Sequence, residues 1–134
     1  MSLRTALLLS STLIITACAA APARQPTDHP NIRVHAPTAN APVSSPLTVT
    51  GEARGTWYFE ASFPVKLLDA EGQIIASAPA QAQGEWMTEE FVPFSATLTF
   101  GARDQDATLV LEKDNPSGLP EHAAQVTIPV SLAP

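Results

Sequence analysis

The sequence predicts an all-β domain built as an antiparallel sandwich, on three observations. Short segments alternate apolar and polar residues with the period of two that belongs to strands with one buried face. Clusters of Gly, Pro, Asn and Asp interrupt those segments at regular intervals. Thirteen prolines in 134 residues stand against much helix, and no stretch shows a convincing amphipathic helical pattern.

Taken in order, residues 31–35 (NIRVH) alternate with Ile32 and Val34 inward, and Pro37 stops the strand. Residues 41–46 (APVSSP) read as a proline-flanked connection. Residues 47–53 put Leu47, Val49, Gly51 and Ala53 on one face. The stretch 51–72 carries the strongest pattern. Trp57, Phe59, Ala61, Phe63, Val65 and Leu67 alternate with Tyr58, Glu60, Ser62, Pro64 and Lys66. Proline donates nothing to a ladder, so a bulge, a break or an unpaired side is expected near Phe63 and Pro64. Glu71 and Gly72 turn the chain into residues 73–78, making 57–78 a hairpin. Residues 80–90, with Gly84 and Trp86, read as more loop than strand.

Phe94, Ala96, Leu98 and Phe100 point inward from the next strand, and Ala107, Leu109 and Leu111 from the one after. Residues 125–132 form the last, with Val126, Ile128, Val130 and Leu132 inward and Pro129 outward, which suits an exposed edge. About seven strands in roughly 100 residues is the arithmetic of an immunoglobulin-like sandwich, with a small barrel as the alternative. Trp57 belongs with Phe59 and Phe63 in its core, which leaves Tyr58, Glu60 and Lys66 on the outward face as candidates for contact. Trp86, in loop composition, is a further candidate.

Residues 1–17 read as an export signal. Arg4 supplies the positive start and residues 6–15 (ALLLSSTLII) a short apolar run, well under the about 20 residues a membrane span needs. The run ends in Ile15-Thr16-Ala17-Cys18, which resembles the lipobox of bacterial lipoproteins. That resemblance implies a diacylglyceryl group on Cys18, cleavage before it, and acylation of the new amino terminus by a chain such as palmitate. Alanine rather than aspartate at position 20 implies the outer membrane, facing the periplasm. Residues 18–30 are then a lipidated cysteine and tether, whose twelve residues after Cys18 reach at most roughly 40 Å. The sandwich occupies 31–134. Cys18 is the one cysteine, so no internal disulfide forms.

The net charge of -6 disfavours nucleic acid and anionic lipid as electrostatic partners. The three histidines, His29, His35 and His122, lack metal-ligand spacing. Ser117, His122 and Asp114 make a triad only on paper, because Asn115-Pro116-Ser117-Gly118 is turn chemistry with no nucleophile elbow. Asp104, Asp106, Asp114 and Asn115 carry calcium-type oxygens without the spacing of a calcium loop. Glu60 and the Glu89-Glu90 pair offer carboxylates without a predicted cleft. Arg54 and Lys113 read as surface ion-pair partners. No enzyme, cofactor or metal is expected.

Residues 34–72, Gly84-Glu85-Trp86 and 111–132 together resemble the bacterial immunoglobulin-like domain found beside GerM domains in spore-germination and sporulation proteins, the second Gmad domain. The landmarks are Pro46, Gly51, Trp57, Glu60, Asp69, Gly72, the turn Asn115–Gly118, and Ile128-Pro129-Val130. Asn115 is a further candidate contact. The chain carries no GerM domain, so a germination role is not carried over. The resemblance implies an extracytoplasmic accessory or binding module. The expectation is a module held to the membrane by lipid on Cys18, docking an envelope protein or cell-wall polymer by its loops or last edge strand. A small envelope hydrolase is the alternative reading.

Overall fold

The computed structural model describes residues 29–134. The export signal, Cys18 and the tether up to residue 28 lie outside the described residues.

Eight strands form one sheet that curls on itself: β1 Ile32–Ala36, β2 Pro42–Val43, β3 Leu47–Arg54, β4 Ser62–Leu68, β5 Ile74–Ala82, β6 Phe91–Leu98, β7 Gln105–Glu112 and β8 Gln125–Leu132. Their order across the sheet is β1-β3-β6-β5-β4-β7-β8-β2. The inner faces of the two arms meet, with Phe63 of β4 edge-on to Phe94 of β6 at 4.9 Å between ring centroids. This is the aromatic geometry favoured in packed cores. β5 passes between the arms, paired along β4 but with β6 only at Gln81 and Ala82. Among the described residues, the buried core runs from Ile32 to Leu132.

The alternation predicts most of this. β3, with Leu47, Val49, Gly51 and Ala53 buried in turn, and β8, with Val126, Ile128, Val130 and Leu132, follow the pattern throughout. Gly51 is required by a close approach: a Cβ there would collide with the Arg33 carbonyl and the Phe94 ring. Some limits differ from expectation. β5 runs on to Ala82 and buries Ala80, and β6 starts at Phe91 and buries Val92.

Three expectations need correction. First, residues 57–67 are not one strand. Gly55–Trp57 is a 3-10 turn closed by the Tyr58 amide donating to the Gly55 carbonyl at 3.1 Å. The turn rotates the chain, so Trp57 and Tyr58 are both buried and Phe59, expected inward, is 43% exposed. Phe59 and Ser62 then exchange backbone hydrogen bonds at 3.0 and 3.2 Å around Glu60 and Ala61, both left-handed with φ of 50° and 63°. This conformation costs a residue with a Cβ about 1–2 kcal/mol. Ala61→Gly is therefore expected to raise the unfolding free energy by about 1 kcal/mol, measured by urea denaturation.

Second, the break falls at 55–61 rather than at Pro64. β4 does have an unpaired side there, because its pairing with β7 begins only at Val65. The bulge lies opposite Leu67 and Leu68, at Ile75 of β5, which has no partner in the register. The Ala82 amide donates to the Ala61 carbonyl at 2.8 Å. By the antiparallel alternation the directly opposed Pro64 and Pro79 are then a non-hydrogen-bonded pair, each ring nitrogen facing away from the shared ladder. Third, residues 42 and 43, expected as connection, form β2 and pair in parallel with Ser131 and Leu132. With the Asn40 amide donating to the Pro129 carbonyl at 2.7 Å, β2 covers the outer side of β8 from Pro129 onward. That part of the last strand is not the open edge the sequence suggests.

Candidate functional site

One end of the sandwich gathers the features that bear on binding. The strand directions bring there the chain entry at 29–31, the β3–β4 connection 55–61, the β5–β6 loop 83–90 and the β7–β8 loop 113–124. These segments are tied to one another. Arg54 Nη1 donates to the Glu89 carbonyl at 2.8 Å and the Asp114 amide to the Trp57 carbonyl at 3.0 Å. Gly55 lies so close to the Trp86 and Thr88 carbonyls that a Cβ would collide with both. The His29 ring stands edge-on to Trp57 at 4.9 Å, so the entering chain is docked on the core.

His29 Nδ1 accepts the Asn31 amide at 3.2 Å, which calls for the neutral ring with its proton on Nε2. Burial lowers the His29 pKa from its ordinary 6.5. The unfolded chain thus binds the proton first, and stability falls as pH drops below about 6.5. Thermal melts across pH 5–8 are expected to show that loss in the native chain and not in His29→Phe.

The sequence-predicted contacts separate. Tyr58, expected outward, is 4% exposed, and its hydroxyl donates to the Val92 carbonyl at 2.7 Å. It ties the 3-10 turn to β6 and is not available for contact. Burial raises its pKa to about 12 against an opposing effect of the Ala53 backbone, with the charge of Glu52 adding a smaller rise. The unfolded chain ionises near pH 10, so the tyrosine's stabilisation is intact below pH 10 and is lost as pH rises toward 12. Tyr58→Phe is expected to cost about 1–2 kcal/mol at neutral pH and to flatten the alkaline limb of the melting profile.

Glu60 is exposed at the tip of the tight turn. Trp86 is partly buried against the core. Asn115 holds its own loop, donating from Nδ2 to the Leu119 carbonyl at 2.9 Å and accepting the Ser117 hydroxyl at 2.6 Å. These three share the loop end. Lys66 does not: it lies on the outer face of β4, paired with Glu112 at 2.9 Å beside a groove that includes Pro64, Ser77 and Pro79. Cys18 lies outside the described residues.

Arg54 and Lys113, read as ion-pair partners, donate instead to backbone carbonyls, Lys113 Nζ to that of His122 at 3.0 Å. The Arg54 guanidinium also stacks on Phe91, 4.4 Å from its centroid, with Arg33 at 3.9 Å from the same ring.

Sequence reasoning missed the exposed apolar residues of this end: Phe59, Met87 at 75% and Leu119 at 46% exposed. Phe59 was hidden in the false alternation, while Met87 and Leu119 stand alone in polar loops where no period marks them.

Ser117 Oγ lies 3.1 Å from His122 Nδ1, yet it gives its proton to Asn115 and accepts the Leu119 amide at 3.2 Å. The hydroxyl is a loop tie, and among the described residues Asp114 makes no hydrogen bond to His122. Asp104 and Asp106 flank the start of β7 and Asp114 its end, so the calcium-type oxygens stand a strand's length apart. No group of three or more His, Cys, Asp or Glu side chains among the described residues is arranged to hold a metal ion.

No curated protein and no solved structure matches the chain. A family profile does, over residues 31–118, described as the immunoglobulin-like domain of bacterial spore germination. That span covers β1 to β7 and the Asn115–Gly118 turn, on the fold expected of it. The chain therefore belongs to the family of immunoglobulin-like domains of bacterial spore germination.

Proposed function

We propose that the chain is a lipid-anchored binding module of the bacterial cell envelope, held by acyl groups on Cys18 and docking an envelope protein or cell-wall polymer with its loop end. The observation that carries this reading is the exposure of Phe59, Met87 and Leu119 at the end where the chain enters. Exposed large apolar side chains gathered at one end, with polar neighbours such as Glu60, Glu85 and Glu89, suit a protein contact better than bulk water. The family fits a binding or structural module. Ile15-Thr16-Ala17-Cys18 supports lipidation, and the short tether keeps the partner near the membrane.

Fractionation tests the anchor. The native chain is expected with the membranes and Cys18→Ser in the soluble fraction; an unchanged distribution would defeat the anchoring half of the reading. Retention of envelope components by the purified chain, compared with a Phe59→Ser, Met87→Ser double variant, tests the other half. Equal retention by both would remove the loop end from consideration.

A further inference from the structure

Along most of its length β5 has a side with no strand paired to it among the described residues. From Ile74 to Ala80 its ladder partner among the described strands is β4, because its strand pairing with β6 is limited to Gln81 and Ala82. The backbone groups on that side can be identified. The Ala82 amide points to β4, donating to Ala61, and the Gln83 amide points the other way, to the Pro93 carbonyl at 2.7 Å. By the alternation of an antiparallel ladder, Ser77 turns its N–H and C=O away from β4. Pro79 has the same parity, so its missing N–H falls on the open side. Ile74, at the start of the strand, is 59% exposed.

We propose that this edge pairs antiparallel with the same edge of a second copy of the chain, about a two-fold axis at Ser77. Unpaired strand groups call for a strand, and charge selects which one. Residues 73–83 (QIIASAPAQAQ) hold no charged side chain in a chain of net charge -6. Two acidic copies therefore approach along this strand without setting charged side chains of the strand against one another. With the axis at Ser77, the two serines exchange both backbone bonds, and Ile75, where the bulge interrupts the alternation, falls opposite Pro79. Proline returns no bond there, so the ladder stops after a few residues. An isologous contact of this kind closes at a dimer instead of growing into a fibre. The inference is independent of the lipid anchor and of the loop-end partner.

The test uses the lipid-free chain from residue 19, which includes the whole described domain. Sedimentation equilibrium over the micromolar to millimolar range is expected to show a reversible monomer–dimer equilibrium. Ser77→Pro removes only the N–H on the open side and leaves the β4 ladder intact, as Pro79 already does two residues on. It should weaken dimerisation by about tenfold or more, since two ladder bonds are lost per dimer, with the native near-UV spectrum retained. Ser77→Glu, which sets like charges opposite one another, should do the same. A spin label at Ser77→Cys should report one short distance in the dimer. A chain that stays monomeric, a dimer that survives Ser77→Pro, or an edge that retains a different protein while the chain remains monomeric would each overturn the proposal.

Discussion

Trp57→Ala is expected to lower the unfolding free energy by about 3–5 kcal/mol, out of the about 5–15 kcal/mol typical of a domain. The indole is fully buried and edge-on to Phe63 at 6.5 Å, with His29 across its other contact at 4.9 Å. Its removal opens a cavity that neighbours on fixed strands cannot close, and it takes away the surface on which the entering chain rests. The backbone carbonyl of Trp57 also holds the Asp114 amide, so the β7–β8 loop should loosen with it. Trp57→Phe separates volume from polarity. The indole Nε1 is buried without a hydrogen-bond partner among the described residues, and an unmet donor of that kind costs about 1–3 kcal/mol. The phenylalanine variant gives up volume but also removes that penalty, so its loss should be well below that of alanine. Urea denaturation of both variants checks this, and a near-native midpoint for Trp57→Ala would remove the indole from the core.

Trp57 shows how far the sequence reaches and where it stops. Its burial was legible because Phe63, Val65 and Leu67 follow at a spacing of two and share one buried face. The same logic placed Phe59 inward and Tyr58 outward, and both are reversed. A 3-10 turn advances the chain differently from a strand, and an apolar residue at its end can fall into step with a strand's alternation by chance. The sign of the turn was present, in Gly55 before Trp57, but glycine also starts strands. β2 was illegible for another reason: two residues have no period, and their pairing depends on Ser131 and Leu132, nearly ninety residues on. Of the candidate contacts, Glu60 stands exposed at the loop end and Trp86 and Asn115 lie partly buried beside it. Lys66 proved to be a cross-strand ion-pair partner, because Glu112 reaches it only through the β4–β7 pairing. Contacts that depend on non-local register are written across the chain, not along it.

Gly55→Ala should produce the second large effect, and a more local one. A Cβ at this position would lie inside the contact distance of the Thr88 and Trp86 carbonyls. Those are backbone atoms, so no side-chain rotation relieves the clash, and either the 3-10 turn or the 83–90 loop must move. The turn is the more firmly held of the two. Trp57 and Tyr58 anchor it in the core, and the Tyr58 hydroxyl bonds to Val92. The loop is held by the Arg54 bond to the Glu89 carbonyl and the Gln83 amide on Pro93, with Met87 in solvent between them. The loop should therefore yield, at a cost of about 1–3 kcal/mol as for other overpacked sites. Thermal unfolding measures that cost. Trp86 reports the movement: its fluorescence should shift toward the red as it leaves the core, and proteolysis between Gln83 and Glu90 should quicken while the strands stay protected. An unshifted Trp86 spectrum would mean that the turn, not the loop, had moved. Since Met87 rides on the same loop, the variant should also lose envelope partners taken by the loop end while keeping the β5 edge intact, which distinguishes the two proposed contacts in a single molecule.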